Sequence, residues 1–149
     1  MQAGLSWWTI LSRRENYRKA FAKFDPKEVA TFDYNKVEKL MQDDWIIRNR
    51  AKINSAISNA QAFLTIQKEF GSFDRYIWWF TNGKVIDNWL KTISDYQITS
   101  PLSDTISKDL KERWFKFIGS ITVYAWLQAI GVINDHLTSC FRYEEVKLN

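Results

Sequence analysis

An all-α fold is predicted by three features of this sequence. Apolar residues recur at steps of three and four over most of the chain, and only five Gly and two Pro in 149 residues interrupt them. No stretch alternates apolar with polar residues as a half-buried strand would. The length suits one domain, which at this size buries about 70% of the surface its unfolded chain exposes. No disulfide or metal is required merely to fold it.

From Ala3 to Phe24 the apolar positions, among them Tyr17, Phe21 and Phe24, follow a helical step, with Arg13, Arg14, Glu15, Arg18 and Lys19 opposite. The pattern predicts one long amphipathic helix. Asp25-Pro26 restarts the chain, since Asp caps helices and Pro fits their first position, giving a short helix to about Thr31. Asp33 caps the next, whose apolar face is Val37, Leu40 and Met41. A hairpin then leads into a longer helix from about Asn49, with Ile53, Ala56, Ile57, Ala60, Phe63 and Leu64 toward the core and an end before Gly71. Phe73 to Thr81 is a short aromatic helix closed by Asn82-Gly83. Between Lys84 and Pro101 the periodicity fades and an irregular connection is expected, with Trp89 and Ile93 pinning it to the body. Ser103 and Asp104 begin another helix through Ile106, Leu110 and Trp114. Ile121 to Val132 is the most apolar helix and is expected at the centre of the fold. A last helix, Asn134 to Cys140, carries the single His and the single Cys.

One cysteine excludes an internal disulfide framework and points to a reducing cytoplasm. No segment approaches the ~20 uninterrupted apolar residues of a membrane span. A net charge of +4 favours nucleic acid or another polyanion. Aromatic residues make up 16% of the chain, including eight Trp, which serves a core and equally a site that stacks bases.

The stretch Asp43 to Lys52 joins two helices by a tight hairpin. The first amides of the second helix lack partners inside it, and its dipole adds partial positive charge there, so the turn can seat a phosphate. Arg48, Arg50 and Lys52 would supply mobile cations around that seat, although a basic helix start is also what an ordinary solvated face looks like. His136 and Cys140, four apart, would project together from a helix, as two zinc ligands must. A structural zinc site wants four ligands, so Asp135, Glu144, Glu145 or another polypeptide would have to complete it. No nucleophile elbow, phosphate-binding glycine loop or paired-cysteine motif is present, and no carboxylate is singled out as a general acid or base.

Three separated stretches together resemble one family. Gln2-Ala3-Gly4-Leu5-Ser6-Trp7, then Arg14-Glu15-Asn16-Tyr17-Arg18 and Phe24-Asp25-Pro26, resemble the start of the helical body of the DNA-3-methyladenine glycosylase I family of constitutive bacterial alkylation-repair enzymes. Ile46-Ile47-Arg48-Asn49-Arg50 with Lys52-Ile53 is similar to that family's helix-hairpin-helix element. Phe115-Lys116-Phe117 with Gly119, then Gln128-Ala129, Gly131 and Asn134-Asp135-His136, is similar to its C-terminal region.

The resemblance implies a helical DNA glycosylase fold and a role for each matching position. Trp7 stands where the family stacks a tryptophan on the extruded base. Gly4 and Leu5 match the loop that enters the duplex, and Arg48, Asn49, Arg50 and Lys52 fall on the phosphate-gripping hairpin. His136 and Cys140 stand at two of the four ligands of a structural zinc. The implied reaction, on double-stranded DNA, is hydrolysis of the N-glycosidic bond of 3-methyladenine to free base and an abasic site. Methylation at N3 already makes the base a good leaving group, which suits a chain with many Trp and no evident acid-base pair. No lysine nucleophile or strand cleavage is implied, and a cytoplasmic monomer is expected.

Trp45, Ala51 and Trp114 depart from the family, which often has glycine at these places. The family also has a segment ahead of the position of Gln2, holding the other Cys and His, further pocket aromatics and the glutamate that hydrogen-bonds the lesion base. No catalytic residue is therefore assignable within this chain, and weak zinc binding with weak or no base release is expected of it alone. A noncatalytic DNA-binding remnant and a helical interaction protein are the rival readings. The remnant would bind duplex in a salt-dependent way without releasing base, whereas the interaction protein would have no DNA affinity.

Overall fold

The computed structural model describes residues 4–147, which carry nine α-helices and one two-stranded pairing among them. They sort into two compact units, Met1–Gly71 with Lys111–Phe117, and Ser72–Leu110 with Ile118–Asn149. Of the predicted first helix, Ala3 lies outside the described residues.

In the first unit the expected long helix is broken into α1 (Trp7–Leu11) and α2 (Arg14–Ala20). Ser12 interrupts it, its hydroxyl donating to the Thr9 carbonyl at 3.2 Å in the way short polar side chains compete with helical bonding. Beyond α2 the chain reverses through Ala22, Lys23 and Phe24, all at positive φ of 49°, 56° and 63°. Each such residue costs about 1–2 kcal/mol. The turn brings the Phe24 ring nearly parallel to the fully buried Phe21, with centroids 6.0 Å apart.

Helices α3 (Pro26–Val29) and α4 (Tyr34–Met41) begin where expected. The carboxylate of Asp25 accepts the Lys27 amide and that of Asp33 the Lys36 amide, both at 2.8 Å. Helix α5 (Arg50–Phe70) is capped by Asn49 and stops at Gly71, whose φ of 82° ends it. Tyr17, Phe21, Val37, Leu40, Ile46 and Ile53 form the centre of this unit's core.

In the second unit α6 (Phe73–Trp79) ends in a turn with Asn82 and Gly83 both at positive φ. The irregular stretch after Lys84 contains β1 (Ile86–Asp87), paired parallel to β2 (Ile133–Asn134), with Ile86 opposite Ile133. Trp89 and Ile93, expected to pin it, are both largely exposed, and Leu90 is buried instead. Helix α7 (Pro101–Glu112) starts two residues before the expected Ser103. Ser100 and Ser103 cap it reciprocally, each hydroxyl accepting the other's amide, and Pro101 takes the first helical position.

Helix α8 (Ser120–Ala129) buries only Val123, Tyr124 and Leu127 and exposes Ile121, so it is not the enclosed helix its composition suggests. Packing partners set burial, and here they cover one stripe. Asn134 to Cys140 is not helical. Asn134 is wholly buried, its side-chain amide donating to the Tyr143 carbonyl and its oxygen accepting the His136 amide, which holds the chain in turns until α9 (Arg142–Lys147).

Candidate nucleic-acid interface and metal pair

Residues 42–49 link α4 to α5, and the core fixes which way their side chains face. Ile46 is buried beside Tyr17, Leu40 and Ile53, whereas its neighbour Trp45 is 70% exposed. Most hairpin amides are spent internally. Trp45 N–H donates to the Asp43 carboxylate at 2.9 Å, Ile47 N–H to the Tyr17 phenolic oxygen at 3.0 Å and Asn49 N–H to the Ile47 carbonyl at 2.9 Å. Asn49 Oδ1 accepts the Lys52 amide at 3.0 Å. The amides of Arg50 and Ala51, the first two of α5, can have no partner inside the helix and are the donors left for an anion at this turn.

The cations around this turn are not equally placed. Arg48 donates to Asp44 at 2.7 Å and is half exposed. Arg50 forks onto both oxygens of Glu38, the longer bond being 3.1 Å. This hydrogen bond holds the Glu38 carboxyl below its ordinary range and raises the Arg50 guanidinium above its own. Both pairs lie in water, where such bridges are weak enough to exchange for a phosphate.

Lys52 differs from the mobile cation expected of it, being 9% exposed. Its position shares the inward side of α5 with Ser55 and Ala56. With them, Phe24, Asn59, Lys116 and Phe117 it lines a cavity of about 240 Å³. Asn59 straps the far wall, exchanging hydrogen bonds with the Lys116 backbone at 2.8 and 3.1 Å.

The remaining sequence-predicted contacts lie in the same unit as the hairpin. Gly4 adopts a φ of 70°, a conformation that favours glycine, and is exposed. Leu5 is half-buried. Trp7 opens α1 and is 61% exposed. Trp8 beside it is also exposed.

His136 and Cys140 lie in the second unit and come together without the predicted helix. Cys140 Sγ stands 3.7 Å from His136 Nδ1. Two ligands of a tetrahedral zinc, at about 2.3 Å for sulfur and about 2.0 Å for nitrogen, stand roughly 3.6 Å apart, so the pair fits that ion. Among the described residues no group of three or more His, Cys, Asp or Glu side chains forms a metal site.

The carboxylates considered as further ligands are engaged elsewhere. Asp135 is buried and accepts from Asn88 at 2.7 Å, Tyr124 at 2.7 Å and Gln128 at 2.6 Å. Burial, then the Asp135 carboxylate, pushes the Tyr124 hydroxyl well above its ordinary pKa. Glu144 pairs with Lys147 and Glu145 with Arg142.

Sequence reasoning missed the anchoring roles of Tyr17 and Asp43 and the acidic partners of the two arginines. Tyr17 reads as one more apolar position, yet a buried phenol needs a partner for its hydroxyl, and that requirement was the available signal. Asp43 and Asp44 beside a turn carry a similar signal, since Asp readily accepts the amide two residues on. Glu38 had none, because its meeting with Arg50 depends on how α4 and α5 pack.

Over residues 1–143 the sequence matches the methyladenine glycosylase family. It is 43% identical over 142 residues to DNA-3-methyladenine glycosylase 1 of Escherichia coli (strain K12), covering 95% of this chain and 76% of that protein. Against the DNA-3-methyladenine glycosylase of Haemophilus influenzae it is 42% identical over 139 residues, covering 93% and 75%. The fold superposes on 3-methyladenine DNA glycosylase I from Staphylococcus aureus with a TM-score of 0.88 at 36% identity, over 98% of this chain and 76% of that one.

Proposed function

The chain belongs to the methyladenine glycosylase family, and on that ground we propose how it carries out base-excision repair of 3-methyladenine in DNA. Water adds to C1′ of the lesion nucleotide, the bond from C1′ to the base nitrogen breaks, the bonding electrons leave with the base, and the water's surplus proton passes to solvent. The products are free 3-methyladenine and an abasic site. Because N3-methylation makes the base cationic, departure neutralises it, and the protein's main tasks are to extract, hold and orient the nucleotide.

In this reading the helix-hairpin-helix element is α4, residues 42–49 and α5. Arg48 and Arg50 exchange Asp44 and Glu38 for phosphates of double-stranded DNA, while the Arg50 and Ala51 amides donate to a phosphate oxygen. Asn49 holds that helix start in shape. Lys52, largely buried, adds positive potential behind the seat rather than a flexible contact. Gly4 and Leu5 enter the space vacated by the flipped nucleotide, and Trp7 stacks on the cationic base, a contact strengthened by its charge. The observation that carries the reading is the match to the family across residues 1–143.

We also propose that His136 Nδ1 and Cys140 Sγ are two ligands of a structural zinc, which would fix the turn between β2 and α9. A monomer acting in the cytoplasm, where its DNA substrate resides, completes the proposal. Measuring free 3-methyladenine released from methylated duplex by the purified chain tests the function. Release no faster than from DNA alone would count against it.

A further inference from the structure

We infer that Trp45 is a DNA-contact residue, its indole lying against the sugar and base edge of the nucleotide next to the phosphate held at the start of α5. This rests on the hairpin being the phosphate clamp. Three observations converge on it. The side chain is 70% exposed although Ile46, its neighbour, is locked into the core, so the hairpin cannot rotate to hide the ring. Its backbone amide is occupied by the Asp43 carboxylate at 2.9 Å, so the residue offers a ligand its ring rather than its N–H. The exposed Arg48 lies three residues on, in the same short turn that ends at the α5 amides, so a polyanion brought to this turn meets the indole together with the cations.

A duplex satisfies both demands, because its backbone alternates anionic phosphates with apolar sugar faces and its groove walls expose base edges. An indole can lie on these with no sequence preference, since stacking and sugar contact read no hydrogen-bond pattern. The chain thereby adds an apolar, salt-insensitive contribution to a clamp otherwise built from ion pairs. Glycine at this position can make a backbone contact and nothing more.

The test is duplex binding against salt concentration for the full chain and for Trp45→Ala, Trp45→Phe and the double change Arg48→Ala with Arg50→Ala. Trp45→Ala is expected to weaken binding about three- to ten-fold at every salt concentration, with the slope of log K against log salt unchanged, and Trp45→Phe to restore most of it. The arginine changes are expected to lower the slope. Unaltered affinity in Trp45→Ala, with the arginine effect intact, overturns the inference and leaves the clamp standing. Unaltered affinity in all the variants removes the clamp and the inference together. Thermal melting of each variant separates these outcomes from unfolding, which a 70% exposed side chain is not expected to cause.

Discussion

The phenolic oxygen of Tyr17 accepts the backbone amide of Ile47 at 3.0 Å, joining residues thirty positions apart. Tyr17 is buried on α2, so the hairpin hangs from the core by a polar bond as well as by Ile46. Tyr17→Phe keeps the ring and removes the acceptor, leaving a partly buried N–H unsatisfied. The expected loss is about 1–2 kcal/mol in denaturant unfolding, with weaker duplex binding measured on the folded fraction. Full stability and affinity in that variant would show that the bond does not hold the hairpin.

Arg48→Ala and Arg50→Ala should each weaken duplex binding alike across DNA sequences, since phosphate contacts position without reading bases. Each should lower the salt slope by about 0.9. Fluorescence anisotropy on two unrelated duplexes, over a range of salt, measures both quantities.

Glu38→Gln should do the reverse. The carboxylate competes with phosphate for the Arg50 fork, so its removal is expected to tighten duplex binding about two-fold at low salt, an advantage that salt erodes. The same competition gives a pH effect. Glu38's carboxyl is held below its ordinary value of 4.5, so the ion pair is complete above that pH and is lost as pH falls through the depressed value. Titrating Glu38 by NMR in wild type and Arg50→Ala should show its pKa rise when the guanidinium is removed.

Asp135 joins segments of the second unit by receiving three side-chain hydrogen bonds. Asp135→Ala strips the acceptor from Asn88, Tyr124 and Gln128 together, an expected cost of about 3 kcal/mol or more. Tyr124 adds a signature at high pH. Its raised pKa means that folding favours the protonated phenol, so this contribution is complete below pH 10.0 and is lost as pH rises beyond it. Unfolding curves from pH 8 to 11 should therefore fall less steeply in Tyr124→Phe than in wild type.

Zinc should bind this chain weakly, because its single His and single Cys supply two ligands and the nearby carboxylates are hydrogen-bonded or ion-paired. Competition with a chromophoric chelator should strip the metal readily, and His136→Ala or Cys140→Ser should remove the remaining affinity. Tightly held stoichiometric zinc in the purified chain would contradict this.

Legibility in the sequence followed the range of the interactions. The caps at Asp25, Asp33 and Asn49 and the stop at Gly71 are local, each bonding or bending within a few residues, and each stands where the residues imply. The break at Ser12 and the left-handed turn at Ala22 to Phe24 are not carried by helical periodicity, because the first rests on the Ser12 hydroxyl bonding the Thr9 carbonyl and the second on stacking Phe24 over Phe21. Asn134 to Cys140 was misread for a related reason, since a buried Asn bonded to Tyr143 overrides the helical spacing of His136 and Cys140. At the hairpin the exposed arginines were legible, while the burial of Lys52 was not, because which face of α5 turns inward depends on what packs there.

The measurement that bears most directly on the central claim is chromatographic quantification of 3-methyladenine released from methylated duplex under single-turnover conditions, for the wild-type chain and Trp7→Ala. Because the chain matches the family over residues 1–143, the wild type is expected to release base weakly but above the spontaneous rate, and Trp7→Ala to lose that release by about ten-fold or more, on the order of one stacking contact, with duplex binding largely retained. Spontaneous-rate release by the wild type, or equal release by both, would contradict that claim.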